Sequence, residues 1–253
     1  MRISATSVTI NTLTAQTGYT FYVRAYCSDA DQSYARSVNI ATPCDAINTL
    51  PWEEDFESMT ANTVPDCWDN SASTPQEITS NPERIWGVYA YGGNQMLRMF
   101  NWNVHNGTAV INSPSIALPD DKPYEFNFDY SHTASCGAFT VSVSDDGGAT
   151  FTSLGEYAKE GSSSSYDDPG TFTSANIPLA NYIGKTIMLQ FSTRANYGNG
   201  AIFIDNMQVT EAPNCVKPTG LTVSSITSDG AVVAWTAGYS ETQWQYVAVP
   251  AGE

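Results

Sequence analysis

"YEFNFDYS", residues 124–131, alternates aromatic and polar side chains without a slip: Tyr124, Phe126, Phe128 and Tyr130 against Glu125, Asn127, Asp129 and Ser131. Successive side chains of an extended strand point to opposite faces, so the stretch reads as a strand with one face in a core and one in water. Working outward, alternating runs rich in Val, Ile, Thr and Tyr recur on both sides. They are "TAVINS" (108–113), "AFTVSVS" (138–144), "TIMLQFST" (186–193) and "AIFIDNMQV" (201–209), with "SVTINTL" (7–13), "YTFYVRAYC" (19–27), "RSVNIATP" (36–43), "GLTVSSI" (220–226) and "AVVAWTA" (231–237) towards the ends. Turn signals separate them: Thr17-Gly18, Asp145-Asp146-Gly147-Gly148, Asp168-Pro169-Gly170 and Tyr197-Gly198-Asn199-Gly200. No window holds a 3.6-residue apolar period beside a capping box. Many short strands with Gly-rich turns predict an all-β fold of the sandwich kind.

The 253 residues are 42% hydrophobic and 12% aromatic, enough for a substantial core. Only 14% are charged, and the formal net charge is -16 with ten Lys and Arg. Such a chain is repelled by nucleic acid and by anionic membranes, and its natural electrostatic partners are cations. No apolar stretch approaches the length of a membrane span, so no membrane insertion is expected. The opening "MRISATSVTI" lacks a charged region followed by an apolar run, so an export signal is expected on a part of the gene outside this chain. Cysteines at 27, 44, 67, 136 and 215 include no CxxC pair, which argues against a zinc ribbon or redox motif. Their wide spacing in an acidic β-rich chain points to disulfides, an oxidising compartment and a secreted or cell-surface protein. Five is odd, so one thiol is left free or bridges between chains.

Pro-, Cys- and polar-rich stretches at 42–51 and 211–220 read as boundaries and divide the chain into 1–43, 44–213 and 214–253. The central segment opens with "PWEEDFESMTANTVPDCWDN" (51–70). As a strand, this stretch puts Trp52, Glu54 and Phe56 on one face and Glu53, Asp55 and Glu57 on the other. Three like charges on one face repel one another unless solvated or neutralised, and no Lys or Arg lies nearby in sequence. A hard cation with oxygen ligands would neutralise them, and Ca²⁺ takes about six to eight oxygens. Near the far end, "AIFIDNMQV" places Asp205 among the apolar residues Ala201, Phe203, Met207 and Val209, so this acid needs a partner or a raised pKa. Two readings stand: a structural calcium clasp, or Glu57 and Asp205 bonding backbone amides at a bulge while Glu53 and Asp55 are solvated.

The order "LPWEEDFES…VPDCW", "TAVINSPSIAL", "YEFNFDYS", "FTVSVSDDGGATFTSL" and "IFIDNMQV" resembles the cleaved-adhesin or choice-of-anchor jelly-roll domains, and is similar to MAM domains. The resemblance spans 44–213 and implies a jelly-roll β-sandwich from a secreted, surface-bound bacterial protein. It implies that the first and last strands lie side by side, that calcium is a structural cofactor, and that Glu57 and Asp205 match the family's positions. Asp55, Glu57 and Asp205 are therefore the expected metal ligands. It also implies a disulfide between Cys44 and Cys67. Cys27, Cys136 and Cys215 are left without an assigned pairing. The outer pieces resemble halves of fibronectin type III modules. Leu13…Tyr19 resembles that fold's tyrosine corner, with "YTFYVRA" and "SYARSVNIATPC" as its last two strands. "KPTGLTVSSITSDGAVVAWTAG", with Trp235, resembles its first two strands, and "TQWQYVAV" (242–249) the next. Half a sandwich exposes an apolar face and an unpaired edge, so these pieces are expected to be poorly ordered or to pair with each other.

His105 and His132 sit in no HExxH or triad context, and nothing pairs a second carboxylate with the acidic stretch across a sugar cleft. The chain is therefore expected not to be an enzyme. Ser144–Phe151 resembles an Asp-box turn, a structural device. "RIWGVYAYGG" and "MFNWNVHNG" gather Trp86, Tyr89, Tyr91, Phe100 and Trp102 beside amides, which suits stacking on pyranose rings, although Trp86 and Phe100 fit a core equally well. Tyr91, Trp102 and Asn103, near Gly-rich turns, are the expected ligand contacts. The expected function is a non-catalytic extracellular adhesion module of a larger multidomain protein, binding host or matrix glycoproteins. The alternative is a carbohydrate-binding accessory module of a secreted glycoside hydrolase or protease.

Overall fold

A computed structural model describes residues 1–74, 85–100, 107–133, 137–158, 165–195, 200–213, 215, 217–239 and 241–250. The chain forms two compact units, Met1–Ala46 and Ile47–Glu253. In the first, β1 (Gly18–Val23) pairs antiparallel with β4 (Arg36–Ala41), and β2 (Tyr26–Ser28) with β3 (Asp31–Gln32). The Tyr19 hydroxyl accepts the Thr14 N–H at 2.7 Å. Residues 7–13 are not a strand, contrary to the alternation of "SVTINTL". A strand needs a neighbour to take its backbone groups, and this stretch has no ladder partner.

The second unit begins with β5 (Trp52–Glu54), β6 (Gly87–Tyr91), β7 (Asn94–Phe100), β8 (Gly107–Asn112) and β9 (Ile116–Ala117). It continues with β10 (Tyr124–His132), β11 (Phe139–Ser144), β12 (Thr152–Tyr157), β13 (Thr173–Pro178), β14 (Thr186–Ala195) and β15 (Ala201–Glu211). One sheet has the order β13-β10-β15-β7-β6, with β5 also on β15; the other is β12-β11-β14-β8, with β9 also on β14. Apart from the β6–β7 and β11–β12 pairs, neighbouring strands are non-consecutive in the chain, and all pair antiparallel, as in a jelly-roll β-sandwich. The "YEFNFDYS" alternation holds: Tyr124, Phe126, Phe128 and Tyr130 are buried in the core. Phe191 of β14 is fully buried and sits about 6 Å, centroid to centroid, from Trp68, Trp86, Phe126 and Phe128.

Outside the sandwich, β16 (Thr219–Ser224) and β17 (Val232–Thr236) form a separate exposed hairpin, in which Trp235 packs edge-on to Trp244. Residues 242–249 are not a strand, again for want of a ladder partner. No described helix is long and apolar enough to cross a membrane.

The β11–β12 turn shows how local chemistry fixes the frame. Asp146 accepts from the Thr150 N–H at 2.9 Å, the Thr150 hydroxyl at 2.6 Å and the Ser144 hydroxyl at 2.7 Å. Gly147 and Gly148 supply the positive φ angles of 74° and 89° that the turn needs. These donors, the Thr150 hydroxyl first, hold the Asp146 carboxyl down to about 2. The folded value lies below the ordinary 3.8, so this stabilisation is full above pH 3.8 and is lost as pH falls through about 2. An NMR titration is expected to place Asp146 near that value, and Asp146→Ala is expected to lower the melting temperature at pH 6 with a smaller gap at pH 2.

Candidate functional site

Strand β15 organises the outward face of the six-stranded sheet. One edge pairs with β10 along most of its length. The other edge is shared end to end: Ala201–Ile204 pair with β7 and Met207–Val209 with β5. Between them lie Asp205 and Asn206, and here the β10 register slips, with Asp129 opposite Asp205 but Asn127 opposite Gln208. Two residues of β15, Asn206 and Met207, stand against Phe128 alone. This is a β-bulge, and Asn206 takes the left-handed φ of 49° that Asn tolerates better than most residues.

The bulge corrects the sequence reading of "AIFIDNMQV". Strict alternation puts Ala201, Phe203, Asp205, Met207 and Val209 on one face. The extra residue re-phases the strand, so Met207 and Val209 join the main core while Ala201 and Phe203 belong to a small cluster with Met96 on the other face. Asp205 lies on that outward side and is 4% exposed. Its Oδ2 accepts the Asn94 side-chain amide at 2.8 Å and its Oδ1 the Asn206 N–H at 2.8 Å. Burial raises its pKa; those two hydrogen bonds oppose the rise, and the charges of Glu57 and Asp129 add to it.

The acidic stretch departs from a continuous strand. β5 ends at Glu54, and Phe56 turns back with φ 59° into the core, fully buried. Glu53 keeps its outward place and accepts the Gln208 side-chain amide at 2.6 Å. Glu54 accepts the Phe56 N–H at 2.8 Å, and burial raises its pKa. Asp55 accepts the Glu57 N–H at 3.1 Å, an Asx turn closing the loop. Glu57 accepts the Gln95 N–H at 2.7 Å, and the Gln95 side chain returns bonds to the Glu57 and Met59 carbonyls. Glu57 and Asp205 are thus both amide acceptors around the break between β5 and β7. Among the described residues, no group of three or more His, Cys, Asp or Glu side chains is placed to hold a metal ion.

The outward face continues as a lattice of planar polar groups. Asn176 bonds Asn127 at 2.7 Å, Ser174 bonds Asp129 at 2.5 Å, and Asn206 bonds the second Asp129 oxygen at 3.0 Å. Beyond Asp205, Arg98 lies against the Tyr89 ring at 3.5 Å and near Phe100 at 5.1 Å. It reaches the Tyr166 carbonyl at 3.4 Å and Asp167 at 3.5 Å. Phe100 stacks on Tyr166, the Tyr89 hydroxyl donates to the Asp167 carbonyl, and the buried Ser131 hydroxyl donates to the Pro169 carbonyl. Residues 165–170 are thereby held onto the sheet. Tyr91 lies at the rim of the same face, 40% exposed, and Asp168 raises its hydroxyl pKa through its charge.

Trp102, Asn103, His105 and Cys136 lie outside the described residues. Trp86 is core, and Phe100 belongs to the outer cluster. His132 ends β10 and is buried. Cys44 and Cys67 are disulfide-bonded, and Cys27 and Cys215 are free and exposed. The sequence reading missed Asn94, Gln95, Arg98 and Asp129. The polar positions of "YEFNFDYS" were the available signal for Asp129; Arg98 left none, because its polar partners Tyr166 and Asp167 come from a distant loop.

No family model matches the chain, and no curated protein matches it in sequence. Among solved structures it is similar to the K1 cleaved adhesin domain of Lys-gingipain from Porphyromonas gingivalis W83, at 15% identity and a TM-score of 0.45, covering 65% of this chain and 100% of that one. It is similar to the K2 cleaved adhesin domain of Lys-gingipain at 18% identity and a TM-score of 0.43, covering 63% and 98%. It is also similar to the module TmCBM61, solved with beta-1,4-galactotriose, at 17% identity and a TM-score of 0.41, covering 62% and 94%.

Arg98→Ala removes the cation beside the Tyr89 and Phe100 rings and its bonds to residues 166 and 167, leaving those residues held by Phe100 and Tyr89. It is expected to cost about 1–2 kcal/mol in chemical denaturation and to speed amide exchange at residues 165–168, with Arg98→Lys recovering only part.

Proposed function

We propose that this chain is a non-catalytic extracellular binding module that recognises glycans carried on host or matrix glycoproteins. The observation that carries the reading is the polar lattice on the six-stranded sheet. Asn127, Asp129, Ser174, Asn176, Asn206 and Gln208 are braced by one another and by rigid strands, so their free donors and acceptors are already ordered. A ligand with many hydroxyls, each able to donate and accept, fits such an array at little ordering cost. Tyr91 at the rim adds an exposed ring for stacking against a sugar face. The same surface suits the second reading, a carbohydrate-binding accessory module; the two differ in whether the target is a glycoprotein or a free polysaccharide.

Binding to immobilised matrix glycoproteins, before and after enzymatic deglycosylation, tests both. Loss of binding on deglycosylation, with a drop of about tenfold in Tyr91→Ala or Asn127→Ala, is the expected outcome, one such contact being worth roughly 1–2 kcal/mol. Trp102→Ala and Asn103→Ala test the remaining expected contacts. Undiminished binding after deglycosylation would replace the glycan by the protein as the target.

A structural calcium ion belongs to the same proposal: among the described residues Asp55, Glu57 and Asp205 are not grouped to hold a metal, and the ion would draw them together as its carboxylate ligands. It is supported by the repulsion that the charges of Glu57 and Asp129 exert on Asp205, none of the three pairing with a Lys or Arg among the described residues. Hard oxygen donors of this kind suit Ca²⁺, with backbone carbonyls and water completing the shell. The ion would cancel that repulsion and brace the bulge in β15 beside the break between β5 and β7. Millimolar Ca²⁺ is expected to raise the melting temperature relative to EGTA, and Asp205→Ala to abolish the difference, because a ligand of the native state must stabilise it. An unchanged wild-type melting temperature would leave the acids as amide acceptors only.

A further inference from the structure

The opposite sheet carries a second surface that the lattice does not use. A groove of about 660 Å³ crosses its outward face over β8, β14, β11 and β12. The strand pleat turns Phe139, Val141 and Phe191 into the core and leaves Thr140 and Ser192 on the groove side. The register sets Ser192, Thr140 and Glu156 side by side across three strands, and Arg194 opposite Thr108. The floor is therefore hydroxyl-bearing, with Glu156 towards one side and Arg194 towards the other.

Arg194 is the anomaly. The chain carries 26 acids against ten Lys and Arg. Among the described residues of the sandwich, Arg98, Lys122 and Lys185 pair with Asp167, Glu211 and Asp145, while Arg194 is exposed and makes no ion pair. Glu156 faces the same groove without pairing to it. A guanidinium presents only donors in a planar fork that matches a carboxylate, and a carboxylate such as Glu156 presents only acceptors.

We propose that this groove binds an acidic sugar residue, a uronate of a glycan chain. The sugar carboxylate lies on Arg194 with Thr108 beside it, its ring hydroxyls donate to Glu156, and the hydroxyls of Thr140 and Ser192 bond the ring between the two ends. A uronate carries its carboxylate at one end of the ring and donor hydroxyls at the other, which is the polarity of the groove. The volume falls within the range of about 300–1,000 Å³ in which small ligands are held. The site lies on the opposite sheet from the lattice with Tyr91, and it stands or falls separately from that reading.

The test is titration of the isotope-labelled full chain with a glucuronate-containing disaccharide and with its neutral glucose counterpart, followed by NMR. Shifts centred on Thr108, Thr140, Ser192 and Arg194, with at least tenfold weaker binding of the neutral sugar, are expected. Arg194→Ala should weaken uronate binding at least tenfold, Arg194→Lys less, and Glu156→Gln several-fold, with melting temperatures unchanged because both side chains are exposed. Tyr91→Ala should leave this binding intact. Equal affinity for both sugars, shifts confined to the lattice face, an indifferent Arg194→Ala, or no binding at millimolar uronate would each overturn the site. A preference for a free amino acid over the uronate would also overturn it, assigning the groove to a zwitterion.

Discussion

The packing of Phe191 against rings from across the sandwich is the contact on which the rest of the structure depends. Its ring meets Phe126 and Phe128 from the opposite sheet and Trp68 and Trp86 from the flanking segments. Aromatic pairs at these separations contribute roughly 0.5–1.5 kcal/mol each beyond the area they bury. Their main consequence is geometric. With the inward faces committed to one dry core, outward side chains are free to be polar, and the two outward faces become broad surfaces on which function can be built.

Those faces differ because the two sheets differ in regularity. β14 runs unbroken, so its outward residues stay in register with β11 and β8 and line a continuous groove. β15 is interrupted by the bulge at Asn206 and by the gap between β5 and β7. The interruption gathers Glu57, Asn94, Asp129 and Asp205 in one place and buries a carboxylate there without a cationic partner among the described residues. A regular strand would have sent Asp205 outward with Met207 and Val209 beside it, which would cost the core two apolar side chains. The bulge keeps both: Met207 stays inside and the acid stays out.

Most of the architecture was legible in the alternation of single strands. "YEFNFDYS", "AFTVSVS" and "TIMLQFST" fall on β10, β11 and β14, because residue-by-residue burial is a local property of a pleated chain. The failures share a cause. "SVTINTL" and "TQWQYVAV" alternate well but have no ladder partner, and the acidic strand stops at Glu54 because Phe56 gains a fully buried site only by turning back. The site was legible as residue types. Asp205 and Glu57 could be singled out as acids lacking cations, and Tyr91 as an aromatic beside a turn. That Glu57 bonds Gln95, that Arg98 lies against Tyr89, or that Arg194 shares a groove with Glu156 could not be read.

By itself, then, the sequence determined where the central strands β10, β11 and β14 fall, which side of each is apolar, and that the chain is acidic and poor in cations, since these follow from composition and period 2. Only the tertiary structure decided which strands become neighbours, where β15 bulges, and which polar groups meet on each outward face. Those depend on pairings between residues as far apart as Glu53 and Gln208. Such pairings are fixed by the common core and leave no periodic trace in the chain.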